Sequence, residues 1–330
     1  MDAEQVSLYE KNISIILILL FAPTHHGSRR RLKLEALFLG HAYIDLTMQT
    51  DCMPTGDEKA VAKDYAVSFG GNAVTAGFAC AKLGRDVHLL TSVAQDWLGH
   101  MFLDMAQNYG IKVHPRSVKR SSLSFILPNN GQRAILRARD DEYLENFPIL
   151  NLSPLKLLHL DGHMPDAAIF YAKKSYEQNT LVSLDGGALR PGLIELLSYV
   201  HVAIVSERLC QQMSLSPDQM LFFLKGKGVK IGGVTIGSKG MLWYDETGVV
   251  QHLPSLRVPK EKIIDTSGAG DVFHGAYCAS YLERPNDPWR NHFIIARAGA
   301  AHKIQRLGNE AGLPSQKDIL YACSAYLEGE

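Results

Sequence analysis

The sequence lacks most features that would mark a membrane, secreted or nucleic-acid-binding protein. Lys plus Arg number 34 and Asp plus Glu number 34, so the formal net charge is zero. No global field draws such a chain to nucleic acid or to a membrane surface, and any anion site must be local. The five cysteines, Cys52, Cys80, Cys210, Cys278 and Cys323, are scattered, with no C-x-x-C or metal-ligand spacing. Free thiols in a reducing cytoplasm are the expectation. The apolar run from Ile13 to Ala22, broken by Ser14, is shorter than the roughly 20 residues that span a bilayer. Asp2, Glu4 and Glu10 precede it and no small-residue cleavage pattern follows, which argues against a secretory signal. A G-x-G-x-x-G turn is also missing. After Leu39 the chain reads Gly40-His41-Ala42-Tyr43-Ile44-Asp45, which excludes a dinucleotide-dependent oxidoreductase on a doubly wound sheet. There is no internal repeat and no low-complexity tract.

What is present is an ordinary globular composition, 46% hydrophobic and 21% charged over 330 residues. That is enough for one large α/β core with a small appendage. Residues 1–33 are expected to be an extension, either unstructured or the product of a start codon assigned too far upstream; Thr24 to Lys33 carries two histidines and the run Arg29 to Arg31. The folded domain is expected over 34–330.

Leu37-Phe38-Leu39-Gly40 reads as a buried strand ending in glycine, with Asp45 on its carboxyl side. Ligands gather at that end of strands in open α/β sheets. Asp45 there can accept hydrogen bonds from vicinal sugar hydroxyls; the plainer reading is a turn or cap aspartate. Gly70-Gly71-Asn72 opens a small-residue helix ending at Leu83-Gly84, and Asp96 opens a helix to Asn108. Strands are predicted at Val87–Leu90, Leu157–Leu160, Leu181–Leu184, Val202–Val205 and Lys230–Ile236, followed by a hairpin-like segment through Leu253. Strands spaced by helices predict a mostly parallel central sheet flanked by helices.

Two stretches differ in texture, about 46–69 and 113–140. The first contains Ala60-Val61-Ala62 and Tyr65-Ala66-Val67; the second has Asn129-Asn130-Gly131 between Ser124–Leu127 and Ala134–Leu136. Asn-Gly between apolar runs is a hairpin signal. Together they predict a small β-sheet lid. Exposed strand edges on it favour pairing with a second subunit, hence a homodimer.

The most informative stretch runs from Ile263 to Gly275. It reads as a short apolar strand, the turn Asp265-Thr266-Ser267-Gly268-Ala269-Gly270, and a helix whose first turn carries Asp271. Small residues let backbone N–H groups approach an oxyanion, and the helix N-terminus adds partial positive charge. A carboxylate there can take the proton from a hydroxyl attacking phosphorus.

Asp265-Thr266-Ser267-Gly268-Ala269-Gly270-Asp271 resembles the C-terminal signature of the ribokinase-like (PfkB) carbohydrate kinases. Gly70-Gly71, Leu83-Gly84 and Val93–Gly99 resemble that family's N-terminal signature, Gly237-Ser238-Lys239-Gly240 its nucleotide-phosphate turn, and Gly40 with Asp45 its sugar-binding aspartate. The resemblance runs from Leu34 to the C-terminus in the family's order. It implies an ATP-dependent, Mg²⁺-requiring cytoplasmic kinase acting on a primary hydroxyl of a sugar or sugar derivative. Asp271 would be the general base, and the backbone of Gly268, Ala269 and Gly270 the anion hole. Asp45, Gly71 and Asn72 would bind sugar hydroxyls; Thr235, Gly237, Ser238 and Gly240 would border ATP. Asp265 and Ser267 fall where relatives hold a monovalent cation, K⁺.

The chain departs from the pattern at three points. Ser206-Glu207-Arg208-Leu209 replaces the Asn-x-x-Glu that supports magnesium in many relatives, leaving Glu207 as a shifted metal ligand. Thr75 stands where many have asparagine. Sulfofructose kinases share both departures, but Arg137 and His163 do not match the residue types at the aligned sulfonate-contacting positions. Arg137 and Arg139 are candidates for an anionic substituent, or solvated; His163 for a hydroxyl contact, or packing. The sequence does not name the sugar. The alternative is a catalytically weak sugar- or nucleotide-binding regulatory protein on a kinase scaffold, against which the retention of Asp271 argues.

Overall fold

The computed structural model describes residues 34–50, 55–129 and 132–326. The predicted extension over 1–33, Cys52 and the Asn130-Gly131 turn lie outside them. Among the described residues, no helix is long and apolar enough to cross a membrane.

Nine strands form the main sheet: β1 (Ala36–Leu39), β4 (Val87–Ala94), β5 (Lys112–Val118), β8 (Leu157–Leu160), β9 (Leu181–Gly186), β10 (Val202–Ser206), β11 (Ile231–Thr235), β12 (Met241–Tyr244) and β13 (Gln251–Leu253). Their order is β13-β12-β11-β10-β9-β8-β1-β4-β5. All neighbours from β11 to β5 are parallel; β12 and β13 close one edge antiparallel. The mostly parallel α/β sheet expected from the sequence is present. Alternation on β1 shows why its run is wholly apolar. Ala36 and Phe38 join one core with the helices α1 (Asn72–Lys82), α7 (Ala269–Glu283) and α8 (Trp289–Lys303). Leu37 and Leu39 join the core on the opposite face with α3 (Pro165–Glu177). A parallel strand covered on both faces has no polar side to show. The remaining helices used below are α2 (Trp97–Asn108), α4 (Leu193–Leu196), α5 (Glu207–Gln212), α6 (Pro217–Gly226) and α9 (Gln316–Ala325).

The small sheet has four strands in the order β3-β2-β6-β7, with β2 Tyr43–Gln49, β3 Asp64–Gly70, β6 Leu123–Asn129 and β7 Gln132–Ala138. β6 and β7 pair antiparallel with Asn129 opposite Gln132, as the Asn-Gly signal predicts.

Four details correct the sequence reading. The segment 113–118 belongs to β5 of the main sheet, which pairs in parallel with β4 along the seven positions from Lys112 to Val118. Its mixed polarity reflects an edge strand, which meets solvent along one side. Asp45 is not on a loop after β1; it lies within β2, so the small sheet begins at Tyr43 rather than 46. Ala60–Ala62 form no strand, and Val61 is 94% exposed. Ile263-Ile264 is also not a strand. It follows a 3₁₀ turn at Lys260–Lys262, and the N–H groups of Ile264 and Asp265 both donate to the Ile304 carbonyl, at 2.8 and 3.2 Å. Half-exposed Ile264 has no sheet neighbour to cover it.

Candidate active site

Gly268 ends the turn with φ +72° and ψ 0°, and α7 begins at the next residue. A side chain disfavours this left-handed backbone. It is also excluded by space, since a Cβ on Gly268 would lie 2.3 Å from Asn309 Oδ1. No side chain caps α7, and a helix start favours an anion; within the turn the Ala269 N–H makes a long hydrogen bond to the Thr266 carbonyl at 3.4 Å. Gly270 has open space where a Cβ would stand. Asp271 is in this first turn, partly exposed.

Asp45 is buried on β2. Its Oδ2 accepts from Asn309 Nδ2 at 3.0 Å, and the same amide donates to the Phe69 carbonyl at 2.9 Å. The carboxylate lies flat against Gly70, where a Cβ would fall 2.2 Å from Oδ1. Oδ1 itself meets no partner with hydrogen-bond geometry. A buried acceptor whose neighbouring donor, the Ser124 hydroxyl opposite it on β6, is not held in full hydrogen-bond geometry is suited to a further hydroxyl donor. Burial above all pushes the Asp45 carboxyl up, to about 6; Ser124, Arg137 and Asn309 pull it down, and the charge of Asp271 pushes it up. Asp271 and Asp45 therefore share one electrostatic environment, with Asn309 joining the floor of the anion turn to Asp45.

Gly71, at φ +101°, precedes α1, and a Cβ there would strike the His41 carbonyl at 2.0 Å. This turn delivers Asn72, whose Nδ2 donates to Asp185 Oδ2 at 2.9 Å, and Ala73, whose N–H donates to Asp161 Oδ2 at 3.1 Å. Asp161 and Asp185 stand at the carboxyl ends of the adjacent strands β8 and β9. Burial works to raise Asp161, but His163, by charge and hydrogen bond, and Arg190 hold it well below the usual carboxylate range. Asp185 goes the other way. Burial pushes it up against the Asn72 hydrogen bond, and the charge of Asp161 adds to the rise. His274 Nε2 is 3.6 Å from Asp185 Oδ1, and burial drives that imidazole down to about 3, so it is neutral.

Of the other predicted contacts, His163 is buried with Nδ1 3.0 Å from Asp161 Oδ1. The Arg137 guanidinium lies 5.0 Å from the centre of the Tyr43 ring, near Asp45. Arg139 pairs with Asp141 at 2.6 Å and is largely solvated. Arg190, which donates to the Asp161 carbonyl at 3.2 Å, belongs to this group too.

The predicted nucleotide residues collect at the carboxyl ends of β10 and β11. Thr235 ends β11 opposite Ser206, and its Oγ1 donates to the Val205 carbonyl at 3.3 Å. Gly237 and Gly240, both with positive φ, bracket the 3₁₀ turn Gly237–Lys239 that carries Ser238. Ser206 caps α5, leaving Glu207 exposed at its first position. Successive strand ends β11, β10, β9, β8 and β1 thus present the glycine turn, Glu207, Asp185, Asp161 and Gly40 along one rim. Among the described residues, no group of three or more His, Cys, Asp or Glu is arranged to hold a metal.

Asn309, Asp161, Asp185, Arg190 and Lys303 were not singled out from the sequence. Asp161-Gly162 and Asp185-Gly186 had a usable signal, an acid at a predicted strand's carboxyl end. Asn309 and Lys303 had none, because their roles depend on partners far away in the chain.

Comparison with known proteins fits this arrangement. A model of pfkB family carbohydrate kinases matches residues 33–316, and the chain belongs to that family. Its relatives include the ribokinase of Lactococcus lactis, 23% identical over 296 residues, which cover 85% of this chain and 94% of that protein. An ATP-dependent ribose-1-phosphate kinase of Halopiger xanaduensis is 26% identical over 261 residues, covering 75% and 85%. Among solved structures, a putative ribokinase from Agrobacterium tumefaciens superposes with a TM-score of 0.78 at 23% identity, covering 90% of this chain and 99% of that one. Arabidopsis thaliana ribokinase complexed with ribose and ATP gives 0.74 at 20% identity, covering 88% and 98%. These structural likenesses establish the fold.

Proposed function

We propose that the protein transfers the γ-phosphoryl group of ATP to a primary hydroxyl of a sugar or sugar derivative. The observation that carries this reading is the juxtaposition of Asp271, the uncapped helix start at Gly268 and the buried carboxylate of Asp45, tied together by Asn309. Asp45 accepts from sugar hydroxyls, and Asn72 and Gly71 shape the same wall. The substrate oxygen attacks the γ-phosphorus, Asp271 takes its proton, and the bond to the bridging oxygen of ADP breaks. The N–H groups of Gly268, Ala269 and Gly270 face the charge that develops on the transferring group. Thr235, Gly237, Ser238 and Gly240 border the nucleotide. Mg²⁺ would supply charge neutralisation on the phosphates. It is bound through few protein ligands and several waters, and the solvent-facing carboxylate of Glu207 fits such a contact. Arg137 and Arg190 ring the sugar wall and favour a substrate carrying an electronegative or anionic substituent.

Support comes from relatives named as ribokinases and a deoxyribokinase, and from a structural neighbour described with ribose and ATP. A homodimer through the small sheet forms part of the proposal. Leu136 on the edge strand β7 and Tyr65 on the opposite edge strand β3 are 74% and 67% exposed, a costly arrangement for a lone subunit. The deciding assay is ADP release with MgATP over a panel of pentoses, hexoses and their acidic and phosphorylated derivatives. Turnover on at least one is expected. Sugar binding without turnover on any would favour the regulatory alternative.

The Asp45 carboxyl sets a pH limit on this reaction. Ionised, it accepts hydroxyl hydrogen bonds at both oxygens with the strength of a charged acceptor; protonated, it keeps a weaker acceptor and turns one oxygen into a donor, and its proton is held up to about 6. The sugar kcat/KM is expected to be level above that pH and to fall about tenfold per unit below it. The sign for stability is opposite. The folded value lies above the ordinary 3.8 of an aspartate, so this group favours folding most below pH 3.8, and the advantage is lost as pH rises through about 6. Asp45→Asn should remove the acid limb of kcat/KM; a limb that persists in that variant belongs to another group.

A further inference from the structure

Behind the anion turn lies a buried charge that the proposed reaction has not used. Lys303, the last residue of α8, is fully buried. Its Nζ is 3.1 Å from Asp265 Oδ2, 3.2 Å from the Asp265 carbonyl and 3.4 Å from the Arg306 carbonyl. One carboxylate and two peptide carbonyls form a set of hard oxygen donors suited to a monovalent cation. Here a side chain supplies the charge. The stem is enclosed on both sides. A Cβ on Gly312 would meet Lys303 Cδ at 2.0 Å, and one on Gly268 would lie 3.6 Å from Cε. The ammonium thus reaches its oxygens by passing beneath the turn that forms the anion hole.

The oxygens of Asp265 are also committed. Oδ1 accepts from the Ser267 N–H at 2.8 Å, and Oδ2 accepts from the Gly308 N–H at 3.1 Å as well as from Lys303. A K⁺ ion beside Asp265 and Ser267, implied by the family resemblance, would have to share these oxygens with an ammonium about 3 Å away. Two unit positive charges bound to the same buried carboxylate, both out of water, repel strongly. The residues present do not fit the ion.

We propose that the Lys303 ammonium is a built-in replacement for the monovalent cation, so that this protein holds its anion turn in place without added K⁺. Lys303 acts as a positioning residue: it neutralises Asp265, joins the turn to the loop at Arg306 and Gly308, and supports Gly268 from below. A lysine serving only to fill the core would be replaceable by a hydrophobic side chain of similar volume. A lysine standing in for an ion makes its removal curable by that ion.

The experiment compares wild type, Lys303→Ala and Lys303→Met in choline chloride and in potassium chloride at equal ionic strength, by melting temperature and by sugar kinase rate. Wild type is expected to melt at the same temperature in both salts, with rates within about twofold. Lys303→Ala, which frees both charge and space, is expected to lose at least about tenfold in rate in choline. It should regain most of that loss saturably with K⁺ and gain several degrees in melting temperature, as linkage to a folded-state site requires. Lys303→Met, which keeps the stem without the charge, should lose rate and recover little. Several-fold activation or stabilisation of wild type by K⁺ would overturn the proposal, and so would a Lys303→Ala protein as active in choline as wild type. If Lys303→Ala folds only in K⁺, that supports it; if it folds in neither salt, the wild-type comparison decides. The rate arm rests on the kinase reading, but the melting arm does not. Wild-type indifference to K⁺ with K⁺-stabilised Lys303→Ala, and no sugar turnover, would sink the kinase reading and leave this inference standing.

Discussion

Replacing Asp271 with asparagine is expected to lower kcat by roughly a hundredfold or more, with KM for sugar and ATP close to wild type, the scale of losing a general base. The substitution preserves shape, and Asp271 lies in the first turn of an α7 whose N-terminus is not side-chain capped. Loss of the carboxylate removes a proton acceptor and not a wall of the site. The charge of Asp271 also raises the Asp45 carboxyl, so the variant should shift the acid limit of kcat/KM to lower pH. Steady-state kinetics across pH read both effects. A variant that turns over at the wild-type rate would remove Asp271 from the reaction.

Gly268→Ala should damage both halves of the site at once. The added methyl would sit 2.3 Å from Asn309 Oδ1 at a residue with φ +72°. Backbone strain of this kind costs about 1–3 kcal/mol. Relief requires moving either the turn or Asn309. A moved turn misaims the N–H donors, and losing one such donor costs on the order of 10²–10³ in rate. A moved Asn309 releases Asp45 Oδ2 and the Phe69 carbonyl, which should raise the sugar KM. The signature is therefore a joint loss in kcat and sugar affinity with a lower melting temperature, in contrast to Asp271→Asn. A soluble Gly268→Ala protein with unchanged kcat would show that the turn does not face the transferring phosphoryl group.

The strands buried on both faces were legible because burial leaves them no polar positions: Leu37–Leu39, Leu157–Leu160 and Val202–Val205 all fall within strands of the main sheet. β5 was misplaced into the small sheet because an edge strand carries the same mixed pattern as a strand with one wet face. Ile263-Ile264 looks like a strand from its side chains, yet its N–H groups donate to the Lys260 and Ile304 carbonyls and not to a neighbouring strand. β-branched residues fit a strand but do not make one without a neighbour.

The sequence by itself determined the order of the chemistry-bearing segments. Glycine-rich turns and the acid behind them are local, so Gly237–Gly240 and Asp265–Asp271 are readable from adjacent residues. The tertiary structure alone decided which groups meet. Asn309 reaches Asp45 across 264 positions and Asn72 reaches Asp185 across 113. Lys303 reads in the sequence as an ordinary basic residue near a helix C-terminus, where a cation is favourable. Only the fold, by closing the loop after α8 over Asp265, turns it into a buried charge beneath the anion turn. Such pairings depend on how distant segments are brought together, and no local pattern of residue types encodes that.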